Sequence, residues 1–181
     1  MSYRVVILPY DPEWPHLFTR LGADLRSALG DVALRIDHIG STAIAGLAAK
    51  PIIDVQISVA VFEPLGAFRV PIEGLGFVYR ANNPDLTKRY FREPAGDRRT
   101  HIHVRRAGSW PEQFALLFRD YMRTHEEDAQ RYAELKHRLA EQYGEDRLGY
   151  TDAKCPFIWE IMMKADKWNQ ETGWEPGPSD A

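Results

Sequence analysis

Residues 36–59 read IDHIGSTAIAGLAAKPIIDVQISV, and this segment carries the clearest strand and turn pattern in the sequence. The pattern predicts a strand, a Gly-Ser-Thr turn that begins at Gly40, and a second strand. In the second strand Asp54, Gln56 and Ser58 alternate with isoleucine and valine. Because strand side chains point alternately to the two faces of a sheet, one face is predicted to be polar and the other apolar.

The turn itself has the composition of an anion-binding loop. Gly40 permits a tight backbone turn, and the amides and hydroxyls of Ser41 and Thr42 could then face a phosphate group. Lys50, just before Pro51, would add a cation at the mouth. The alternative is a purely structural turn followed by a strand with a solvated polar face, and these residues alone leave both interpretations open.

A second strand with a polar side is predicted at residues 100–106. His101, His103 and Arg105 alternate there with Ile102 and Val104. If this strand and the one at residues 53–59 share a sheet, their polar sides line one cleft. An ordinary solvated sheet face is the alternative.

Asp54, His101 and His103 together offer one carboxylate and two imidazoles, a set that suits a divalent metal ion. Alternatively, the histidines donate hydrogen bonds to neighbouring groups or to a ligand phosphate.

Residues 88–106 are rich in arginine and lysine, and guanidinium groups match phosphate or carboxylate oxygens. Arg89, Arg92 and Arg105 lie within predicted strands and are candidates for anion binding. Arg98 and Arg99 lie in the connecting loop, where charge also serves to protect an exposed hairpin edge.

The remaining chain predicts helices around this sheet. Asp11-Pro12 begins a helix, Pro71 ends a short one, and three amphipathic helices follow residue 109. The fold class is therefore α+β, with a mixed sheet, helices packed on one face and a helical C-terminal part. Residues 171–181 are rich in glycine, proline and acid, so we expect a disordered tail.

Composition limits the functional classes. The chain has 181 residues, a formal charge of −3 and one cysteine. This length suits one domain, the charge gives no strong nucleic-acid signal, and one cysteine excludes an internal disulfide. No apolar run is long enough to span a membrane and no signal peptide is recognisable, so a cytoplasmic location is expected.

Several separated blocks resemble the GrpB family, which is regarded as a divergent branch of the nucleotidyltransferase superfamily. The blocks are His38-Ile39-Gly40-Ser41-Thr42, Lys50-Pro51-Ile52-Ile53-Asp54, Thr100-His101-Ile102-His103-Val104 and Phe118-Arg119-Asp120-Tyr121. The resemblance implies one nucleotidyltransferase-like domain over residues 1–170, with a nucleotide or another small phosphorylated molecule as ligand. It also implies a divalent metal cofactor, Mg²⁺ or another ion.

The chain departs from the superfamily pattern at the metal site. Nucleotidyl transfer there uses two metal ions held by three carboxylates, whereas this sequence has Gln56 at the second position and His101 or His103 near the third. Three functions stay open: a transferase with an altered metal site, a non-catalytic nucleotide-binding or accessory domain in coenzyme A metabolism or protein folding, and a metal-dependent hydrolase. The predicted catalytic residues are Asp54, His101 and His103; the predicted metal ligands are Asp54 and His103; the predicted ligand-binding residues are Gly40, Ser41, Thr42, Lys50, Gln56, Arg89 and Arg105.

Overall fold

The computed structural model describes residues 4–181, so the first three residues of the domain expected over 1–170 lie outside it. All five strands lie before residue 107, together with two α-helices, and the chain after that residue is helical. In chain order they are α1 (Glu13–Leu29), β1 (Arg35–Ile39), β2 (Ile53–Val59), α2 (Gly66–Gly74), β3 (Val78–Tyr79), β4 (Lys88–Arg92), β5 (Thr100–Arg106), α3 (Trp110–Thr124), α4 (Glu126–Tyr143), α5 (Arg147–Ala153) and α6 (Cys155–Thr172).

The five strands form one mixed sheet in the order β1-β2-β5-β4-β3. Strands β2 and β5 are parallel, and the other neighbouring pairs are antiparallel. The predicted α+β class with a mixed sheet is confirmed. The two strands with polar sides are direct neighbours, which puts those sides next to each other.

The apolar sides of β2 and β5 form the floor of the main core. Val55, Ile57, Ile102 and Val104 are fully buried there, together with residues of α1 and α2. These two helices therefore cover one face of the sheet, as the alternation predicts.

Helix α2 differs from its predicted end at Pro71, because it continues to Gly74 with the proline inside. A proline within a helix removes one backbone hydrogen bond. Phe68 and Ile72 are nevertheless buried against the core, and this packing on both sides of Pro71 favours the continuous helix.

The C-terminal helices form a second core, in which α3, α4 and α6 pack around Ile44 and Leu47. Helix α3 also reaches over the polar face of the sheet, where Gln56 and Ser58 are fully buried. Gln56 donates a hydrogen bond to the backbone oxygen of Glu112, and the Ser58 hydroxyl donates to the Glu112 carboxylate. The polar face, expected to be uncovered, is thus covered by α3 at Gln56 and Ser58 and stays open around Asp54.

The segment expected as a disordered tail, residues 171–181, instead continues α6 to Thr172 and then packs along β1. The amide of Ala181 donates to the Ile36 oxygen, and Asp180 accepts hydrogen bonds from the His38 amide and from Arg119. The free edge of β1 offers backbone hydrogen-bond partners to this segment, and the composition of the segment does not reveal them.

In the part of the chain that the structure covers, no helix combines the length and the apolar character needed to cross a membrane.

Candidate functional site

Asp54, His101 and His103 meet at one point on the open part of the polar face. The parallel register pairs Asp54 with His101 and Gln56 with His103. Nδ1 of His101 lies 3.1 Å, and Nε2 of His103 lies 3.3 Å, from the same oxygen, Oδ1 of Asp54. The convergence predicted from strand alternation is therefore present.

The protonation states at this point follow from burial and hydrogen bonding. Burial opposes ionisation of Asp54, but the hydrogen bonds from His101 and His103 outweigh it and lower the pKa of this carboxyl group well below its usual value. Burial lowers the pKa of His103, although the hydrogen bond to Asp54 acts in the opposite direction. An ionised Asp54 only accepts, so His103 Nε2 carries the proton and the buried Nδ1 has no partner among the described residues.

The Gly40 turn lies directly against Asp54. Gly40 has a φ of 73°, and a Cβ atom there would lie only 2.8 Å from Oδ2 of Asp54. Both the backbone conformation and the close approach therefore require glycine. The next residue, Ser41, is partly exposed and hydrogen-bonds the hydroxyl group of Tyr132.

Thr42 does not face the open cleft as a ligand-binding hydroxyl would. Its side chain is buried, donates to the backbone oxygen of Ile52 and lies 3.0 Å from Nε2 of His38. Burial lowers the pKa of His38 to about 4, so this imidazole is neutral at pH 7. The Thr42 hydroxyl thus holds the turn to the core, which corrects its predicted role.

Two more predicted ligand-binding residues are placed elsewhere. Arg89 lies on the opposite face of the sheet, with its guanidinium group 4.2 Å from the ring centroid of Phe62. Gln56 is covered by α3, with its amide nitrogen bound to Glu112. Arg89 was misassigned because it shares a face with Phe91, which pairs with Ile102 of the core.

A cavity of about 530 Å³ opens beside Asp54 and Gly40. Arg105, predicted as a ligand-binding residue, lies in its wall, where burial lowers the pKa of the guanidinium group and Nε has no partner in the described part of the chain. The opposite wall is aromatic. It contains Trp110, Phe114, Phe118 and Trp159, of which Phe114 makes edge contacts with both tryptophans.

Lys50 belongs to a group of three lysines near the turn. Nζ of Lys50 lies 4.6 Å, and Nζ of Lys154 lies 4.8 Å, from the ring centroid of Tyr150. Nζ of Lys136 lies 4.5 Å from the ring centroid of Tyr132 and donates to the backbone oxygen of Ala48. We call Lys50, Lys136 and Lys154 the lysine cluster.

Burial lowers the pKa values of all three lysines, and neighbouring positive charges lower those of Lys50 and Lys136 further. Burial, followed by the charges of Lys154 and Arg147, lowers the pKa of Lys50 to about 8. Burial, followed by the charges of Lys154 and Lys50, lowers the pKa of Lys136 to about 6. Asp54 is close enough to favour the charged forms of Lys50 and Lys154.

Sequence reasoning missed several residues at this site. Tyr90 contacts the rings of both His101 and His103, at 5.7 and 5.2 Å between centroids. Alternation along β4 could have identified it, because Lys88, Tyr90 and Arg92 share the face opposite Phe91. No local pattern indicates the aromatic wall, the lysines of α4 and the α5–α6 junction, or Tyr150.

Comparisons with known proteins place these features in a family context. A family model described as GrpB protein matches residues 4–164. The UPF0157 protein PA4798 of Pseudomonas aeruginosa is 39% identical over 166 residues, which cover 90% of this chain and 68% of that protein. The crystal structure of conserved protein GrpB from Enterococcus faecalis matches with a TM-score of 0.82 and 30% identity, over 91% of this chain and 99% of that one.

A longer relative is also similar. A dephospho-CoA kinase of Mycolicibacterium paratuberculosis is 31% identical over 200 residues, which cover 95% of this chain. The chain spans about half of that protein, because the match covers 48% of its length.

Proposed function

This chain belongs to the GrpB family, and we propose that it binds a small phosphorylated ligand of the nucleotide class together with one divalent metal ion. The observation that carries the proposal is the convergence of Asp54, His101 and His103, whose ligand atoms all lie within 4.8 Å of one another. Among residues 4–181 this is the one group of three or more potential metal ligands.

The spacing of these ligand atoms fits a metal ion. Ligand atoms around a tetrahedral ion with bonds of about 2.0–2.2 Å are roughly 3.3–3.6 Å apart. The two imidazole nitrogens lie 3.1 and 3.3 Å from Asp54 Oδ1, close to that spacing, and a metal ion would replace the protons that they donate to Asp54 in the free protein. Two nitrogen ligands and one oxygen favour a transition metal such as Zn²⁺ over Mg²⁺, which prefers oxygen ligands.

A divalent ion at Asp54 would polarise a phosphoryl oxygen or lower the pKa of a bound water. The chain supplies the remaining functions. The Gly40–Ser41 turn presents its backbone and a hydroxyl group beside Asp54, and Arg105 offers a cation from the cavity wall. A water or hydroxyl nucleophile could enter through the open side of the cavity.

The ligand class follows from the contrast between the two cavity walls. A cavity of about 530 Å³ is in the range of small-molecule sites. The planar surfaces of Trp110 and Phe114 suit an aromatic ring, while the cations around Asp54 suit phosphate oxygens. A nucleotide contains both chemical groups.

The altered metal ligands bear on the reaction. Gln56 is neutral and buried beneath α3, so it does not provide the second carboxylate of a two-metal transferase site. A one-metal site suits either a transferase with an altered mechanism or the hydrolysis of a phosphorylated ligand. The relative named dephospho-CoA kinase favours a further candidate, an accessory nucleotide-binding module without its own turnover.

Calorimetric titrations test the proposal. ATP and ADP are titrated in the presence of Zn²⁺, Mn²⁺ or Mg²⁺ into the parent protein and into His103→Ala, Ser41→Ala and Arg89→Ala. We expect His103→Ala to lose at least about tenfold in metal affinity and Ser41→Ala about tenfold in nucleotide affinity, since a hydrogen bond to a charged group contributes about 1.5–3 kcal/mol.

Arg89→Ala is the matched control, because Arg89 lies on the opposite face of the sheet and should leave both affinities unchanged. Equal metal affinity in the parent and in His103→Ala would overturn the proposal. Product analysis then separates the three candidate functions. Released phosphate indicates a hydrolase, and a new phosphodiester indicates a transferase. Intact nucleotide indicates an accessory module.

A further inference from the structure

Three separate elements bring the lysine cluster together around two tyrosines. Lys50 precedes β2, Lys136 lies in α4, and Lys154 connects α5 to α6. Lys50 and Lys154 both lie over the ring of Tyr150, which has no exposed surface. A fold that gathers amines from such distant parts of the sequence must overcome their mutual repulsion.

No acidic side chain among the described residues forms an ion pair with the lysine cluster, although the charge of Asp54 favours the charged forms of Lys50 and Lys154. Among residues 4–181, the lysines that form ion pairs are Lys88, Lys164 and Lys167, and none belongs to the lysine cluster. Lys136 donates to the Ala48 oxygen, which explains its position structurally. Within the described part of the chain, the amines of Lys50 and Lys154 lie over the Tyr150 ring and make no ion pair or hydrogen bond, so their placement has no comparable structural reason.

The Tyr150 hydroxyl gives a second, independent indication. It is buried and has no hydrogen-bond partner among the described residues. A buried hydroxyl group without a partner lowers stability, so native structures rarely retain one. A ligand oxygen that accepts from this hydroxyl group would satisfy it.

The lysine cluster is also continuous with the site around Asp54. Nζ of Lys136 lies over the ring of Tyr132, whose hydroxyl group is bound to Ser41 of the Gly40 turn. Lys50 and Lys154 in turn sense the charge of Asp54. The lysine cluster therefore adjoins the Gly40 turn, which itself lies against Asp54.

We propose that Lys50, Lys136, Lys154 and the Tyr150 hydroxyl form a binding site for the pyrophosphate portion of a di- or triphosphate ligand. The inference rests on the proposed function for the identity of the whole ligand. Its charge argument is independent, because the amines of Lys50 and Lys154, which form no ion pair among the described residues, match a polyanion better than a single phosphate group.

The test uses inorganic pyrophosphate and orthophosphate as probes, in buffer with a chelator, so that metal binding at Asp54 does not contribute. Calorimetry compares the parent protein with Lys154→Gln, Tyr150→Phe and the control Lys164→Gln. Lys164 lies on α6 and is paired with Asp128, so its loss removes a compensated cation.

We expect the parent to bind pyrophosphate at least tenfold more tightly than orthophosphate. Lys154→Gln should weaken pyrophosphate binding about tenfold, and Lys164→Gln should leave it unchanged. Tyr150→Phe should weaken binding severalfold while its thermal midpoint stays equal or rises, because the removed hydroxyl group has no partner in the free protein. A purely structural hydroxyl would give the opposite stability result.

Two outcomes would overturn the inference: equal pyrophosphate affinity in Lys154→Gln and the parent, or no preference for pyrophosphate over orthophosphate. His103→Ala separates this test from that of the proposed function. Retained pyrophosphate binding with unchanged metal affinity in His103→Ala would leave the subsite in place and reject the metal site. If the parent protein shows no preference for pyrophosphate and His103→Ala weakens metal binding, the subsite is rejected and the metal site is supported.

Discussion

Two groups of buried charged residues in this protein differ in how their charges are balanced. In the first, Arg119 is 3% exposed and contacts Asp120 at 2.7 Å and Asp180 at 2.9 Å, while Arg35 contacts Asp37 at 2.8 Å. In the second, the lysine cluster forms no ion pair among the described residues, where the paired lysines are Lys88, Lys164 and Lys167. Each group contains a charged side chain that is at most 3% exposed, Arg119 in the first and Lys136 in the second, so burial alone does not separate a structural role from a binding role. The two roles are separated by whether each charged group has an ion-pair partner.

The largest effect is expected from Arg119→Met, which leaves Asp37 and Asp180 without their shared partner. Removal of one member of a buried ion pair lowers stability by about 3–5 kcal/mol. Urea unfolding of the variant, beside Lys164→Met as a control for a more exposed lysine, measures this difference. A decrease of less than about 1 kcal/mol in the free energy of unfolding would show that the ion pairs of Arg119 do not stabilise the fold.

A smaller effect is expected from Gln56→Asp, which places a carboxylate beneath α3 beside Glu112. We expect a loss of about 2–3 kcal/mol at pH 7, because the new group is buried without a cationic partner. Burial raises the pKa of such a carboxyl group, so the lost stability should return as the pH falls and the group binds a proton.

Gln56→Asn is the matched control, because it shortens the side chain without adding charge. Urea unfolding at pH 5 and pH 8 separates the two contributions. A gain in Mg²⁺ affinity in Gln56→Asp, measured by calorimetry, would instead support a relict two-metal site.

The smallest effect is expected from Lys136→Met. The pKa of Lys136 is lowered to about 6 in the folded protein, so the unfolded chain binds more protons between about pH 6 and pH 10. Stability of the parent should therefore rise with pH across this window. The variant should be neutral or more stable by about 1 kcal/mol at pH 7, with a shallower rise. Unfolding midpoints from pH 6 to pH 9 measure the slope, and an unchanged slope would contradict the assigned pKa.

Much of the sheet could be predicted from strand alternation. Asp54, His101 and His103 converge because β2 and β5 are neighbours in parallel register, and the period of two puts their polar sides together. Arg89 was expected on the polar face, but it lies two residues from Phe91 and therefore points to the same face of the sheet as this core residue. The face of a strand follows from its most buried residue rather than from its charges.

The remaining differences arise from contacts between distant segments. Local sequence does not show that α3 covers Gln56, nor that Asp180 binds Arg119, since both depend on how helices and the tail pack on β1 and β2. The same holds for the lysine cluster, whose members are far apart in the chain. Burial and pairing at such points become visible only in the folded protein.

The most direct test of the proposed site is a crystal of the parent protein grown with Zn²⁺, with data collected on both sides of the zinc absorption edge. We predict an anomalous peak about 2.0–2.2 Å from the Asp54 carboxylate and from the facing nitrogens of His101 and His103. No peak at Asp54 at saturating Zn²⁺, or a peak bound only by other side chains, would contradict this prediction.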